Sequence, residues 1–225
     1  MNRQLDICFK EACESLDFVR KTLNLLPPPN IKDSTIVKNN SAYLVASAYV
    51  FISSSLEKYV KSALLIIMKE ITNESVSKKD IKNCLFPIIY ASEIQSITTL
   101  KDFEKLWNKK HSLFTELESQ EIVKLNLNDN EIPLDGKTIR PYHLEMIWKI
   151  FDLEPDYFTN PVQRFTLIDI ADGRNEVAHG ATQPTTFGSN KSVPSTIKKI
   201  EDVEDIIVNL QVKIERYLDN KLYRK

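Results

Sequence analysis

The sequence predicts an all-α fold, a helical bundle with one small irregular or hairpin insertion. Three observations carry that prediction. Apolar residues recur at steps of three and four through most of the chain, the period of a helix with one buried face. Only four glycines occur in 225 residues, Gly136, Gly173, Gly180 and Gly188, so the first 135 residues lack the tight turns of a sandwich or barrel. Apolar residues make up 42% and charged residues 27%, a balance that supports a real buried core. The same shortage of glycine excludes a G-x-G-x-x-G dinucleotide loop and a G-x-x-x-x-G-K phosphate loop, whose backbones require it.

The elements follow in order. From about Asn2 to Leu26, Leu5, Cys8, Phe9, Ala12, Leu16, Val19, Leu23 and Leu26 form one stripe, stopped by Pro27, Pro28 and Pro29, which cannot continue the hydrogen-bond ladder. A longer helix runs from about Asn40 to Ile71; its first half is apolar nearly all round, which predicts the central, most buried helix. A shorter helical stretch from Lys79 to Tyr90 is interrupted by Pro87, and an amphipathic piece containing Trp107 follows around Leu100–Leu117. In the insertion, about residues 118–141, Ile122–Leu127 alternates weakly and Asp135-Gly136 is a turn signal, which suits a short hairpin or an irregular excursion. Helix resumes over His143–Leu153, ahead of Pro155, and again over Pro161–Ala178, with Gly180 placed as a C-terminal cap. A polar loop, Thr182–Pro194, leads to a last helix whose Ile197, Ile200, Val203, Ile207, Leu210, Ile214 and Tyr217 keep a steady three-four spacing. With no repeat and no linker, residues 1–225 read as a single domain.

Thirty Lys and Arg against 31 Asp and Glu leave a formal charge of -1, so no bulk field draws the protein to polyanions or to an anionic membrane. Cys8, Cys13 and Cys84 are an odd set without C-x-x-C spacing, and His111, His143 and His179 lie far apart. That is neither a disulfide framework nor a His/Cys zinc site; no cofactor or metal is expected, though composition leaves a carboxylate-bound metal open. A di-metal bundle site would need Glu-x-x-His on facing helices, and the spacing occurs once, at Glu176 and His179. The N-terminus is not a signal peptide, and the longest apolar run, Ala42–Ile52, is too short to span a bilayer. A cytoplasmic protein with reduced thiols and no membrane partner is the expectation.

The chemistry concentrates in Asp172–Gly180, D-G-R-N-E-V-A-H-G. Arg174 falls within the apolar line Leu167, Ile170, Ala171, Val177 and Ala178, where an always-charged guanidinium must be paired or must meet a ligand. Asn175 and His179 are four apart, so Asn175 could orient the imidazole. Arg174 and His179 are five apart, about 140° round a regular helix. They converge on one small group only if the helix end loosens or if symmetry-related copies cooperate. Gly173 costs about 1 kcal/mol relative to alanine in a helix, which points to close approach of another backbone or a ligand. Histidine can take the proton of a ribose 2′-hydroxyl or protonate the leaving 5′-oxygen, and arginine can stabilise charge on the phosphate. Together they suffice for metal-free cleavage of RNA.

At these residues the sequence resembles the HEPN superfamily, whose hallmark is Arg, a polar residue that is often Asn, three or four variable residues, then His. Here it stands as Arg174-Asn175-Glu176-Val177-Ala178-His179, closing a late helix before Gly180 and a final amphipathic helix. Tyr49–Val60 likewise looks like the long central helix of HEPN proteins in conflict systems. The resemblance implies a dimerising helical bundle and metal-independent endoribonuclease activity in toxin–antitoxin or antiviral defence. RNA would be the substrate, two motifs would share a cleft, and an antitoxin or sensor protein would be a further partner. By the same resemblance Arg174 and His179 would be catalytic, with Asn175 supporting.

Plainer readings stand beside these. Arg174 could be a structural ion-pair partner, and His179 a polar residue favoured by the dipole at a helix C-terminus. Glu57 could hold Arg174 as a supporting residue, or pair with Lys61 four residues on. His143 and His111 read as ordinary helix residues, Asp172 and Glu176 as solvated flanking charges. Phe187 could stack an unpaired base, whereas Phe165 reads as core. The clusters Lys105, Lys109, Lys110 and Lys213, Arg216, Lys221, Arg224, Lys225 read as solvated faces. The alternative to an enzyme is a catalytically silent helical module that binds RNA or a partner protein.

Overall fold

The structure, a computed structural model, describes residues 2–28, 34–125, 132–136, 138–154 and 156–225. The first helix, α1 (Arg3–Asn24), begins where the Asn2 side chain accepts from the backbone N–H of Gln4 and Leu5, and buries Leu5, Ala12, Leu16, Val19 and Leu23. The second, α2 (Thr35–Asn73), is capped by Ser34 and runs 39 residues, about 58 Å at 1.5 Å per residue. It is the central helix the sequence predicts, burying residues from Ala42 to Ile71 on several sides. Short pieces follow: 3₁₀ turns at Lys78–Asp80 and Asn83–Leu85, then α3 (Phe86–Ile89), α4 (Ala91–Thr99) and α5 (Phe103–Glu116). The later helices are α6 (Pro141–Phe151), α7 (Val162–Ala178), α8 (Pro184–Ser189) and α9 (Val193–Asp219).

Helices α1, α7, α8 and α9 all pack on α2. Polar ties fix their register. Thr166 of α7 donates to the buried Asp202 of α9 at 2.6 Å, and Tyr59 of α2 donates to Gln211 of α9 at 2.9 Å. No strand is present among the described residues; two isolated bridges, Ser77 with Ile122 and Ile81 with Arg224, tie the middle of the chain to the insertion and the C-terminus. No helix among the described residues is long and apolar enough to cross a membrane.

Several expectations change in detail. Residues 79–90 form no single helix: Pro87 starts the four-residue α3 instead of interrupting a longer element. The insertion holds no hairpin among its described residues, because Ile122 pairs with Ser77 outside it; Gly136 does turn, at φ +72°. The polar loop 182–194 contains α8, begun by Pro184 and held down by buried Phe187. Phe165 is not core but 68% exposed, whereas Phe187 is 4% exposed and cannot offer its face to a base. The expected stop at Pro29, the end of the run at Leu127, and Pro155 lie outside the described residues.

Candidate functional site

Helix α7 carries Asp172–Ala178, and His179 caps it. Its buried face holds Gln163, Thr166, Leu167, Ile170, Ala171 and Gly173, and Arg174 continues that face at the last turn, half-buried. Gly173 is needed for packing: a Cβ there would stand 2.6 Å from Tyr49 Cδ1 and 2.7 Å from Phe187 Cζ. The close approach expected at this glycine is therefore made by two ring edges, not by a backbone. Those rings meet edge to face at 5.0 Å and 86°.

The helix ends without loosening. His179 N–H donates to the Asn175 carbonyl at 3.0 Å. Gly180 takes φ +69°, its N–H reaches the Val177 carbonyl at 3.3 Å, and Ala181 N–H reaches the Glu176 carbonyl at 3.0 Å. This is the doubly bonded glycine cap that closes many helices. Of the two ways in which Arg174 and His179 could converge, a frayed helix end is not the one this chain uses. The imidazole stands exposed at the tip, on the outer side of α7, and the guanidinium lies on the inner side.

Asn175 serves the arginine. Its Oδ1 accepts from Arg174 Nη1 at 3.2 Å and from Thr138 Oγ1 at 3.2 Å, so the expected orientation of His179 by the Asn175 side chain is replaced by a bridge between Thr138 and Arg174. Arg174 has no carboxylate within ion-pair distance among the described residues. Glu57, half-buried on α2, has no hydrogen bond or ion pair to it there. The flanking acids are engaged elsewhere: Asp172 with Arg140 at 2.7 Å, Glu176 with the Thr182 hydroxyl.

Behind the site Asp169 accepts from the buried Tyr49 hydroxyl at 3.1 Å and meets Lys191 at 2.9 Å and Lys199 at 3.1 Å. Burial opposes ionisation of Asp169, but the two lysines outweigh it and hold the carboxyl below its usual range. Burial first, then Asp169, pushes the Tyr49 hydroxyl well up, so it stays a neutral donor. This network pins the wall against which Gly173 packs. Thr138 and Arg140 were hidden from sequence reasoning because they belong to an aperiodic segment. His143 likewise has companions: it is 3% exposed, its Nδ1 accepts from Arg140 N–H at 3.0 Å, and its Nε2 meets Asp135 at 3.0 Å. The His143 ring thus ties the start of α6 to the segment that carries Thr138.

A family model described as RiboL-PSP-HEPN matches residues 14–220. The chain belongs to the RiboL-PSP-HEPN family. No curated protein and no solved structure matches it. Membership in this HEPN family fits the helical bundle and brings a nuclease- or RNA-related function in general. The HEPN match covers α2, α7 and all of α9, hence every residue named around Arg174. Among the described residues, no group of three His, Cys, Asp or Glu side chains is placed to hold a metal ion.

Proposed function

We propose that this HEPN domain is an endoribonuclease that cleaves RNA by attack of a ribose 2′-hydroxyl, in a toxin or antiviral defence role. One observation carries the reading: Arg174 is half-buried, yet among the described residues its charge is met only by the Asn175 amide. A half-buried guanidinium keeps part of its hydration but lacks an anion, and an anionic phosphate at the mouth of this site would supply the missing partner. Arg174 then stabilises charge on the phosphate as the pentacoordinate state forms, Asn175 holds its fork, and His179 moves the proton at the 2′-hydroxyl or at the leaving oxygen.

Because α7 stays regular through its cap, Arg174 and His179 of one chain face different directions, and a shared cleft in a homodimer completes the site. Phe165 lies on the His179 side of α7, seven residues before Asp172 and fourteen before His179, and is 68% exposed beside Val162 at 54%. Exposed apolar residues next to a catalytic face suit apposition with a second copy. Residues 1–225 act as one domain, working in the cytoplasm with an antitoxin or sensor as its partner.

Arg174→Ala and His179→Ala should each abolish cleavage of a natural RNA while leaving helicity and melting nearly unchanged. A variant that cleaves like the parent removes its residue from the mechanism. If the cleft is shared, activity per chain falls steeply on dilution below the dimer constant, and a flat profile removes the shared site.

A further inference from the structure

Residues 132–140 reach the motif without belonging to any helix. Among the described residues, no backbone–backbone hydrogen bond ties this segment to α2 or α7. Ile132 and Ile139 are buried, which sets the depth of the segment, but apolar contact has no direction and does not set its register. Polar side chains set it. Thr138 Oγ1 donates to Asn175 Oδ1 at 3.2 Å, and Arg140 Nη2 meets Asp172 at 2.7 Å. Asp172 and Asn175 are three apart on α7, so two alternate residues of the segment engage one side of that helix.

One buried ring holds both ends of the stretch that carries Thr138. His143 is the third residue of α6, where a glutamate or glutamine commonly accepts from the backbone N–H of the cap residue. Its Nδ1 does so for Arg140 at 3.0 Å, so Nδ1 carries no hydrogen. The ring's hydrogen is left on Nε2, which donates to Asp135 Oδ1 at 3.0 Å. The cap alone needs one acceptor; the imidazole adds a second nitrogen on its far side, and that nitrogen reaches Asp135. Asp135 Oδ2 accepts from the Tyr142 hydroxyl at 3.0 Å, and Gly136 turns the chain at φ +72°. The ring therefore staples Asp135 to Arg140, with the turn and Thr138 between them.

We propose that His143, together with Asp135, is a positioning residue for Arg174. The staple presents the Thr138 hydroxyl to Asn175, and Asn175 holds the guanidinium fork in place before a phosphate arrives. An arginine has many rotamers to lose on meeting an anion, and a partner that orders it beforehand removes that cost from the reaction. The inference rests on the reading of Arg174 as the group that meets the phosphate. It goes beyond that reading by making the site depend on two residues outside the motif and outside α7.

The test uses the full chain and Asp135→Ala, which removes the acceptor of the staple at a half-exposed side chain. Melting curves confirm that the variant folds. On a natural RNA that the parent cleaves, kcat should fall several-fold while KM stays within about twofold, because the fork is misplaced for the transition state and not removed. Asp135→Asn keeps an oxygen for His143 Nε2–H and should restore most of the rate. Adding Thr138→Val to Asp135→Ala should lower kcat little further, since both act through Asn175. A second readout needs no cleavage. The Asn175 side-chain amide signals in a nitrogen–proton correlation spectrum, assigned by their loss in Asn175→Ala, should move in Asp135→Ala as they do in Thr138→Val. An unchanged kcat, losses that add in full, or amide signals that stay in place would overturn the proposal while the parent's cleavage still stands. A parent that cleaves no RNA would sink the ribonuclease reading, and the amide signals would then decide the staple alone: moved, it holds; unmoved, it falls.

Discussion

Replacing Gly188 by alanine should unseat α8 and, through it, the support beneath the motif. A Cβ at Gly188 would stand 1.7 Å from the Ala42 carbonyl oxygen and 2.5 Å from its carbon. Both are backbone atoms of the central helix, so no rotamer change relieves the clash. An ordinary contact of about 3.3 Å between carbon and oxygen requires α8 to retreat by roughly 1.5 Å. That retreat draws Phe187 away from Tyr49 and Gly173, the pair it covers while 4% exposed. Losing most of the burial of one phenylalanine costs about 1.5–3 kcal/mol, and the gap it leaves adds to that. Alanine recovers about 1 kcal/mol of helix propensity, leaving a net loss of roughly 2–3 kcal/mol by these central values. For a domain of this size that is roughly a 5–10 °C fall in melting temperature, read by circular dichroism on both proteins in one buffer. Melting within about 2 °C of the parent, the shift for less than 1 kcal/mol, would refute the packing argument. A companion substitution, Gly173→Ala, meets ring edges instead of backbone and should cost less.

Thr138→Val keeps the shape but removes the hydroxyl that donates to Asn175, so it should cost about 1 kcal/mol of stability and lower RNA cleavage several-fold, with Thr138→Ser restoring both. Equal cleavage by Thr138→Val would show that Arg174 needs no support through Asn175. Asp169→Asn should lower the melting temperature at pH 7. Since the folded carboxyl sits below its usual range, the stability it contributes is complete above the unfolded value of about 3.9 and lost as pH falls through the folded one. The gap between parent and variant should therefore hold down to about pH 4 and shrink as the pH falls further, and a gap of constant size would remove the lysine-held carboxylate as its cause.

The helical period made α1, α7 and α9 legible, because each buries one continuous stripe and period is what a stripe leaves in a sequence, while α2 was legible as a long run apolar nearly all round its first half. The cap at Gly180 was legible for a similar reason: a left-handed position following a periodic run selects glycine. The stretch from residue 78 to residue 89 was not, since turns of three or four residues are too short for a period to show. Helix α8 was hidden by Thr, Ser and Gly, and only Pro184 and Phe187 mark it. Of the site, Arg174 and His179 stood out by residue type and spacing. Their neighbours did not. Thr138, Arg140, Tyr49 and Asp169 reach α7 through tertiary contacts, which no local pattern encodes. The reach of Asn175 toward Arg174 instead of His179 was equally invisible, because the choice is made by the hydroxyl of Thr138.

The central claim is acid–base cleavage of RNA by His179 with Arg174 on the phosphate. The most direct measurement is incubation of purified parent and His179→Ala with total bacterial RNA in excess chelator, followed by analysis of the fragment ends. The account predicts chelator-resistant fragments ending in 2′,3′-cyclic phosphate with the parent and none with His179→Ala. Fragments that need a divalent ion, that end in 3′-hydroxyl, or that form equally with the variant would contradict it.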